Sequence, residues 1–376
     1  MPHPLTMRFA WVLLLVPQLA LADVVPERVI VVGRVGTGAW TDAPTAARLD
    51  QQAELAAVVI ARRGKQRVVL APSLITKVKL AGTAWKTEPL AGRVQWSTVE
   101  PHGFRSQPAS NGVTTEFYSN VSQDAGTFGN GLGYDHIDYF ERVVMPWSEV
   151  ATIPATVTAG EVGAQQVPGL GTIRYKVEVE LTGTKLASPG AEARDLFGLR
   201  PEVHRVSVRK SDDFIGQLSA YLLVPEVFGS AGPGRNHQTE RFTGADCADV
   251  MIGAARRMGR RVPYTNVAGL PAVGKQIAPA TELDERGMPA RAITKVRAGD
   301  LIRIDYGGQL RGHTPRGWDH VAALWEDRSD PNGRDHGRPD GRLDGFDLVI
   351  HMGHPRLVIE PLSEQAPATI DVVRLR

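Results

Sequence analysis

The chain has 376 residues, with 43 lysines and arginines, 41 aspartates and glutamates, and a formal net charge of +2. A nucleic-acid-binding protein normally has a cluster of basic residues. In this sequence the basic and acidic residues are nearly equal in number and no strongly basic cluster stands out, so we predict no nucleic-acid partner. The length allows two or three domains, and the single cysteine excludes an intramolecular disulfide framework.

Residues 1–22 have the three parts of a secretory signal peptide. Arg8 provides the basic start, residues 9–16 the apolar run, and residues 20–22 (ALA) a small-residue cleavage site. The apolar run is too short to span a bilayer, and no later segment is long and apolar enough to do so. We therefore expect an exported protein, periplasmic or extracellular, without a transmembrane segment.

Residues 23–209 are predicted to be rich in β-strands. Residues 171–184 (GTIRYKVEVELTGT) alternate apolar and polar side chains, and residues 56–70 indicate two strands around a turn. We expect one β module, or two that divide near residue 150. The glycines that follow residue 32 do not have the order of a dinucleotide-binding loop, and we predict no cofactor. His136 and Asp138 lack a third ligand at a recognisable spacing, and we predict no metal site.

From residue 210 the pattern changes to helices followed by strands. Helical spacing occurs in residues 212–223 and 243–259. The segments with strand character come after them, at residues 300–306, 320–325, 348–352, 357–360 and 370–375. Helices followed by an antiparallel sheet are typical of an α+β domain, which we assign to residues 210–376.

Cys247 is the only cysteine and lies at the start of the second predicted helix. Asp246 is a suitable N-cap, so Cys247 would occupy the first turn beside free backbone N–H groups and the positive end of the helix dipole. This environment favours the thiolate, which is the nucleophilic form. The alternative is a buried structural cysteine.

Two strand histidines could complete a cysteine nucleophile. His320 begins one predicted strand and His351 lies within the next predicted strand along the chain. A catalytic cysteine needs a base in hydrogen-bond reach and a third polar group that orients the base, and adjacent strands can supply both. The alternative is that both are ordinary, partly buried strand histidines.

The motifs of this region resemble those of the NlpC-type cell-wall endopeptidases. Asp246-Cys247, Gly299-Asp300-Leu301, His320-Val321 and Ile350-His351 occur in the order in which that family has similar motifs. The resemblance implies a papain-like cysteine hydrolase fold, with Cys247 as nucleophile, His320 as base and His351 as the orienting residue. It also implies hydrolysis of an amide bond in peptidoglycan peptides.

The sequence departs from this family at three places. No tyrosine occurs in residues 225–230, Ala248-Asp249 replaces a small pair after the cysteine, and residues 326–345 form a hydrophilic insertion. The insertion is rich in aspartate, but no register matches a calcium-binding EF-hand loop, and we expect a solvated loop.

Two alternative functions remain open. The same fold and nucleophile could transfer an acyl group to an acceptor other than water. The protein could also be an inactive envelope-binding or scaffolding protein, with the β-rich half as the binding part. The aromatic residues Tyr134 and Tyr139 are candidates for stacking on sugar rings.

Overall fold

The structure is a computed structural model that describes residues 24–101, 107–108, 114–115, 118–119, 137, 139–158, 167–232, 236–307, 317–353 and 356–376. The predicted signal peptide, the pair His136 and Asp138, and Tyr134 lie outside the described residues.

The first half of the chain consists of strands. In chain order they are β1 (Val24–Val35), β2 (Thr45–Arg48), β3 (Ala53–Arg63), β4 (Gln66–Ala71), β5 (Lys77–Leu80), β6 (Thr83–Lys86), β7 (Glu88–Pro89), β8 (Arg93–Pro101), β9 (Gln107–Pro108), β10 (Thr114–Thr115), β11 (Tyr118–Ser119), β12 (Tyr139–Ser148), β13 (Thr152–Pro154), β14 (Gly171–Leu181), β15 (Thr184–Ala187), β16 (Arg194–Asp195), β17 (Gly198–Leu199) and β18 (His204–Arg209).

Two sheets form most of this half. One has the order β1-β3-β4-β7, with β13 beside β3, and the other has the order β12-β8-β14-β18-β2, with β15 beside β14. Leu55 of β3 and Trp96 of β8 are both fully buried in one apolar cluster, so the sheets share a core. In β14 the residues from Tyr175 onward alternate between buried and half-buried, as its sequence pattern predicts.

The second half contains one larger sheet. Its strands, with three small strands that lie outside it, are β19 (Val227–Phe228), β20 (Gly274–Leu283), β21 (Ile293–Thr294), β22 (Leu301–Asp305), β23 (His320–Glu326), β24 (Arg342–Leu343), β25 (Leu348–Met352), β26 (Leu357–Pro361) and β27 (Ala368–Leu375). The sheet has the order β20-β27-β22-β23-β25-β26, and all its pairs are antiparallel.

With β11 of the first half, these three small strands form two separate pairs: β11 runs parallel to β19, and β21 runs antiparallel to β24. The β11–β19 pair joins the two halves of the chain, because β11 belongs to the first half and β19 to the second. The alternating side chains of the large sheet bury both of its faces. Leu301 and Ile350 pack into the core that is shared with the first half, whereas Ile302 and Val349 pack into a second cluster.

The helices of the described residues are short. They are α1 (Phe214–Ser219), α2 (Gln238–Arg241), α3 (Cys247–Arg257) and α4 (Leu270–Val273), with 3₁₀ turns at Val267–Gly269 and Leu362–Gln365. Helix α3 contacts β23 and β25 of the large sheet. Its buried residues are contiguous from Ala248 to Ala255, so the helix is enclosed on nearly all sides. None of the described helices is long and apolar enough to cross a membrane.

The prediction of an α+β, papain-like fold is wrong. Strands make up 48% of the described residues and helices 11%, and the strands form several sheets. The helical pattern of residues 212–223 extends over only six residues, because the chain turns at Ala220 and continues without helical structure. Residues 264–289, in which the sequence pattern indicates no strand, contain the ten-residue strand β20. Pro279 and two register shifts in β20 conceal the strand pattern there.

The predicted boundary at residue 210 stays a prediction, as does a break near residue 150. One continuous apolar cluster contains Val59 and Val177 from the first half together with Leu218, Met251 and Val321 from the second half. The two halves therefore share a core.

Candidate active site

Cys247 is the first residue of α3, as the sequence predicts, and is partly buried. The carboxylate of Asp246 caps the helix: it accepts hydrogen bonds from the backbone N–H of Asp249 at 2.7 Å and of Gly229 at 3.1 Å. The cap thus fixes both the helix start and the preceding loop. The N–H of Cys247 lies at the first helical position, where the helix provides no acceptor for it.

The pKa of the Cys247 thiol lies well above its usual value. Burial is the largest cause, and the negative charges of Asp246, Glu226 and Asp249 add to it. The backbone N–H of Val321, the residue after His320, faces the sulfur and acts in the opposite direction. The expectation of a resting thiolate is therefore wrong. A helix N-terminus alone does not outweigh burial beside three carboxylates.

His320, His351 and Glu360 form a line of hydrogen bonds across three neighbouring strands. Nε2 of His320 lies 2.9 Å from Nδ1 of His351, and Nε2 of His351 lies 2.9 Å from Oε1 of Glu360. The residues belong to β23, β25 and β26, and the antiparallel register places Ala322 opposite His351. The two histidines that the sequence singled out are thus brought together.

The carboxylate of Glu360 determines the protonation of both rings. The hydrogen bond with His351 lowers the pKa of Glu360, so this residue is an ionised acceptor and Nε2 of His351 carries a hydrogen. When His351 is neutral, its Nδ1 is an acceptor, and Nε2 of His320 donates to it. This assignment leaves Nδ1 of His320 unprotonated and able to accept a proton.

His320 is held in this neutral form. Burial is the main cause that lowers its pKa well below the usual value, and the neighbouring His351 lowers it further. The resting site therefore pairs a neutral thiol with a neutral imidazole, and proton transfer would have to accompany nucleophilic attack.

Gln365 and Tyr306 extend the network, and the sequence analysis missed both. Nε2 of Gln365 donates to Glu360 at 2.6 Å, and the hydroxyl of Tyr306 donates to Oε1 of Gln365. Tyr306 also stacks on His320, with the ring centroids 6.4 Å apart. Burial raises the pKa of Tyr306, and the proximity of Cys247 and Glu360, both of which are ionised at the high pH where a tyrosine titrates, adds to the effect. An aromatic hydroxyl is therefore present near the sulfur, although it follows β22 and does not precede the cysteine.

Glu360 was also missed as a site residue, although it ends a strand that the sequence predicts. An acidic residue at the end of an apolar strand, one strand after Ile350-His351, is the signal that could have identified it. Tyr306 directly follows a predicted strand, but nothing in its local pattern indicates which strand lies beside it.

Asp249, one of the departures from the family pattern, stabilises the loop before the cysteine. Its carboxylate accepts hydrogen bonds from the hydroxyl of Ser230 at 2.9 Å and the N–H of Ala231 at 2.7 Å. Burial and the charge of Asp246 raise the pKa of Asp249 to about 8. Asp246 and Asp249 together hold residues 229–231 against the start of α3.

The insertion at residues 326–345 is held by one aspartate within it and by one that follows it. Asp327 accepts the N–H groups of Asp340 and Gly341, at 3.0 and 2.9 Å, and buried Asp347 accepts those of Arg328 and Asp344, both at 2.8 Å. Among the described residues, no group of three or more histidine, cysteine, aspartate and glutamate side chains is suited to a metal ion. Here the carboxylates bind the backbone of the loop itself.

Comparisons with family models, with curated proteins and with solved structures find no match to this chain.

Proposed function

We propose that the protein is an exported cysteine hydrolase that cleaves an amide bond, with Cys247 as the nucleophile. The observation that supports this most strongly is the hydrogen-bonded series from His320 through His351 to Glu360. Its first residue directly precedes Val321, whose backbone N–H faces the sulfur of Cys247. A structural pair of buried histidines would not need a carboxylate that sets their tautomers and leaves one nitrogen free. The arrangement of nucleophile, base, orienting group and carboxylate matches the requirements of covalent acyl chemistry.

In this mechanism, attack and deprotonation occur together. The sulfur of Cys247 bonds to the amide carbon while Nδ1 of His320 takes the thiol proton. His351 and Glu360 stabilise the imidazolium that forms. The protonated His320 donates a hydrogen bond to His351, and His351 donates one to the negatively charged carboxylate of Glu360. The same proton then passes to the leaving amine, whose bond to carbon breaks. Water, deprotonated by His320, finally hydrolyses the thioester and releases the free thiol.

The backbone N–H of Cys247 is the donor we assign to the developing oxyanion. It lies at the positive end of α3 and the helix provides no acceptor for it. The negative charges around Cys247 oppose formation of a free thiolate but leave this donor in place.

We assign the substrate class by the resemblance to the NlpC-type endopeptidases. The four motifs that carry this resemblance include both residues of the proposed thiol–imidazole pair, and the substrate of that group is a peptide of cell-wall peptidoglycan. An exported protein with this site is in the compartment where that polymer occurs.

The test is hydrolysis of purified peptidoglycan peptides, measured as newly released amino groups. Cys247→Ser and His320→Ala should each lower the rate at least 10³-fold, since both groups take part in bond formation. His336→Ala is the matched control, because this exposed histidine lies in the insertion away from the network. Hydrolysis that persists in both active-site variants would exclude this mechanism. A wild-type protein that labels its Cys247 but cleaves no amide would point to another acyl acceptor or to a binding role.

A further inference from the structure

Three arginines line a cavity at the junction of the two halves of the protein. Arg205 and Arg209 extend from one face of β18, and Arg257 comes from the last turn of α3. The cavity has a volume of about 250 Å³ and is also lined by Gln217 of α1 and the ring of Phe242. Side chains from a strand and two helices thus converge on one space.

Phe242 fixes the position of two of the guanidinium groups. The guanidinium carbon of Arg205 lies 4.4 Å from the centroid of the Phe242 ring, and that of Arg257 lies 4.1 Å from it. Stacking of this kind orients the planar groups before any ligand binds. Nε of Arg205 and Nε of Arg257 are both buried without a hydrogen-bond partner among the described residues.

The positive charge of the cavity is only partly balanced. Arg174 lies directly opposite Arg205 on β14, and like charges in this position repel each other. Arg174 donates to the carbonyl groups of Arg241 and Phe242, so it has no carboxylate partner in these contacts. Burial, together with the charges of Arg257 and Arg174, lowers the pKa of Arg205 to about 9. A repulsive arrangement of this kind is stabilised when an anion binds.

The acidic residues near the cavity already form ion pairs with arginines other than Arg205. Asp212 pairs with Arg209 at 2.6 Å, and Glu240 pairs with Arg256 at 2.7 Å while lying 3.7 Å from Arg257. Arg205 therefore retains its excess charge inside the cavity.

A second cavity, of about 680 Å³, adjoins the first through Arg257. Its lining includes Arg256, Arg260 and Arg261 at the end of α3 and beyond, and the one acidic residue in it is Glu240. Basic residues at a helix C-terminus are common because they complement the helix dipole. That explanation does not account for Arg205 and Arg209, which come from a strand of the other half.

We propose that these joined cavities bind a polyanion that carries phosphate groups. Three guanidinium groups that approach from different elements match the several oxygens of a tetrahedral phosphate, whereas one planar carboxylate is satisfied by a single guanidinium fork. The second cavity offers further arginines to a second phosphate. The site is distinct from the cysteine site, because Arg257 follows Cys247 by ten positions, which correspond to about 15 Å along the helix.

Titration of the full-length protein with pyrophosphate, followed by calorimetry, tests this proposal. We expect saturable binding that weakens as the salt concentration rises, since it depends on ion pairing. Arg257→Gln should weaken binding at least tenfold because it affects both cavities, and Arg205→Gln should weaken it similarly. Arg291→Gln removes one exposed arginine elsewhere and should leave the affinity unchanged.

Thermal unfolding of each variant separates loss of the site from loss of the fold. If Arg205→Gln does not fold, Arg257→Gln, whose side chain is more accessible, carries the test. Two further ligands distinguish the source of the phosphate: soluble polyphosphate, and vesicles of an anionic phospholipid compared with vesicles of a zwitterionic one. Absence of pyrophosphate, polyphosphate and vesicle binding, or equal affinities in Arg257→Gln and Arg291→Gln, would overturn the proposal.

Discussion

Cys247 combines a position that suits a nucleophile with surroundings that keep its proton bound. Burial and three carboxylates raise the pKa of the thiol, while the Val321 N–H lowers it. In an apolar, anionic environment the uncharged thiol is the stable form. The nucleophile of this site is thus produced only when His320 can receive the proton, and reactivity towards small alkylating reagents should be low at neutral pH.

Glu226→Gln should increase that reactivity, because it removes one negative charge that raises the thiol pKa. We expect the midpoint of the alkylation rate against pH to shift to lower pH, with a several-fold faster reaction at pH 8. The rate of iodoacetamide labelling of Cys247, measured between pH 6 and 11, gives this midpoint. Glu285→Gln, an exposed residue, is the control and should titrate as the wild type does. A midpoint near the usual thiol value in the wild type would contradict this description of the site.

Glu360→Gln tests whether the carboxylate positions the two rings. Glutamine can still accept the hydrogen bond from His351, but it cannot stabilise the imidazolium by charge, so kcat should fall about 10- to 100-fold with little change in KM. Because the pKa of His320 is lowered, the base stays unprotonated below pH 6.5, and wild-type activity should persist into that range. Glu364→Gln, four residues away and exposed, should keep both kcat and the pH profile. An unchanged kcat in Glu360→Gln would remove Glu360 from the mechanism.

At the scale of single elements, the insertion is held by a buried carboxylate. Asp347 is fully buried and accepts two backbone N–H groups from the insertion. Its replacement by alanine leaves both donors without a partner, which should lower the free energy of unfolding by about 2–4 kcal/mol. Chemical denaturation measures the change, and Asp335→Ala in the exposed part of the same loop should cost less than about 0.5 kcal/mol. Equal losses in the two variants would show that these hydrogen bonds do not hold the loop.

Several elements could be predicted because their signals are local. The alternation in β14, the Asp246 cap of α3 and the strands that carry His320 and His351 depend on neighbouring residues in the sequence. The order of strands in the large sheet is not local, and it alone places Glu360 beside His351. The predicted fold class is wrong for a related reason. Two short segments with helical spacing suggested an α+β domain, whereas most of the structure consists of strands of two to twelve residues.

Two properties could not be predicted from the sequence, the raised pKa of the Cys247 thiol and the arginine-lined cavities, because both depend on how the chain packs. The sequence places Cys247 at a helix start, but it does not show that Glu226, 21 positions earlier, adds its charge to the same space. The arginine-lined cavities were hidden for the same reason. Arg205 and Arg257 are 52 positions apart in a chain whose overall charge is nearly balanced. The packing of α1 against both β18 and α3 brings them to one cavity.

At the scale of the whole molecule, the two halves depend on each other. Helix α1 packs on α3 and on β18, and Thr172 of β14 is hydrogen-bonded to the carbonyl groups of Ala220 and Leu222. Separation of the halves would expose Leu218 and other residues of the shared core to water.

A fragment of residues 210–376 should therefore be less stable than the same residues within the full chain. We expect a lower melting temperature, binding of a hydrophobic dye, and faster alkylation of Cys247 as its surroundings open. Calorimetry and dye fluorescence provide the measurements, with the full-length protein as the control. A fragment that melts as the full chain does, without dye binding, would establish residue 210 as the boundary of an independent domain.

The bound proton on Cys247 has one more consequence, for the chemical lifetime of the protein. Peroxide attacks the thiolate form of cysteine, and the first product, a sulfenic acid, can proceed irreversibly to sulfinic and sulfonic acids. A sulfur that rests as an uncharged thiol in a partly buried place is a poor target for this reaction. Burial and the acidic groups around Cys247 should therefore slow its oxidation. For a protein that is exported, as we propose, this slower oxidation would matter because the chain has no second cysteine that could restore the first.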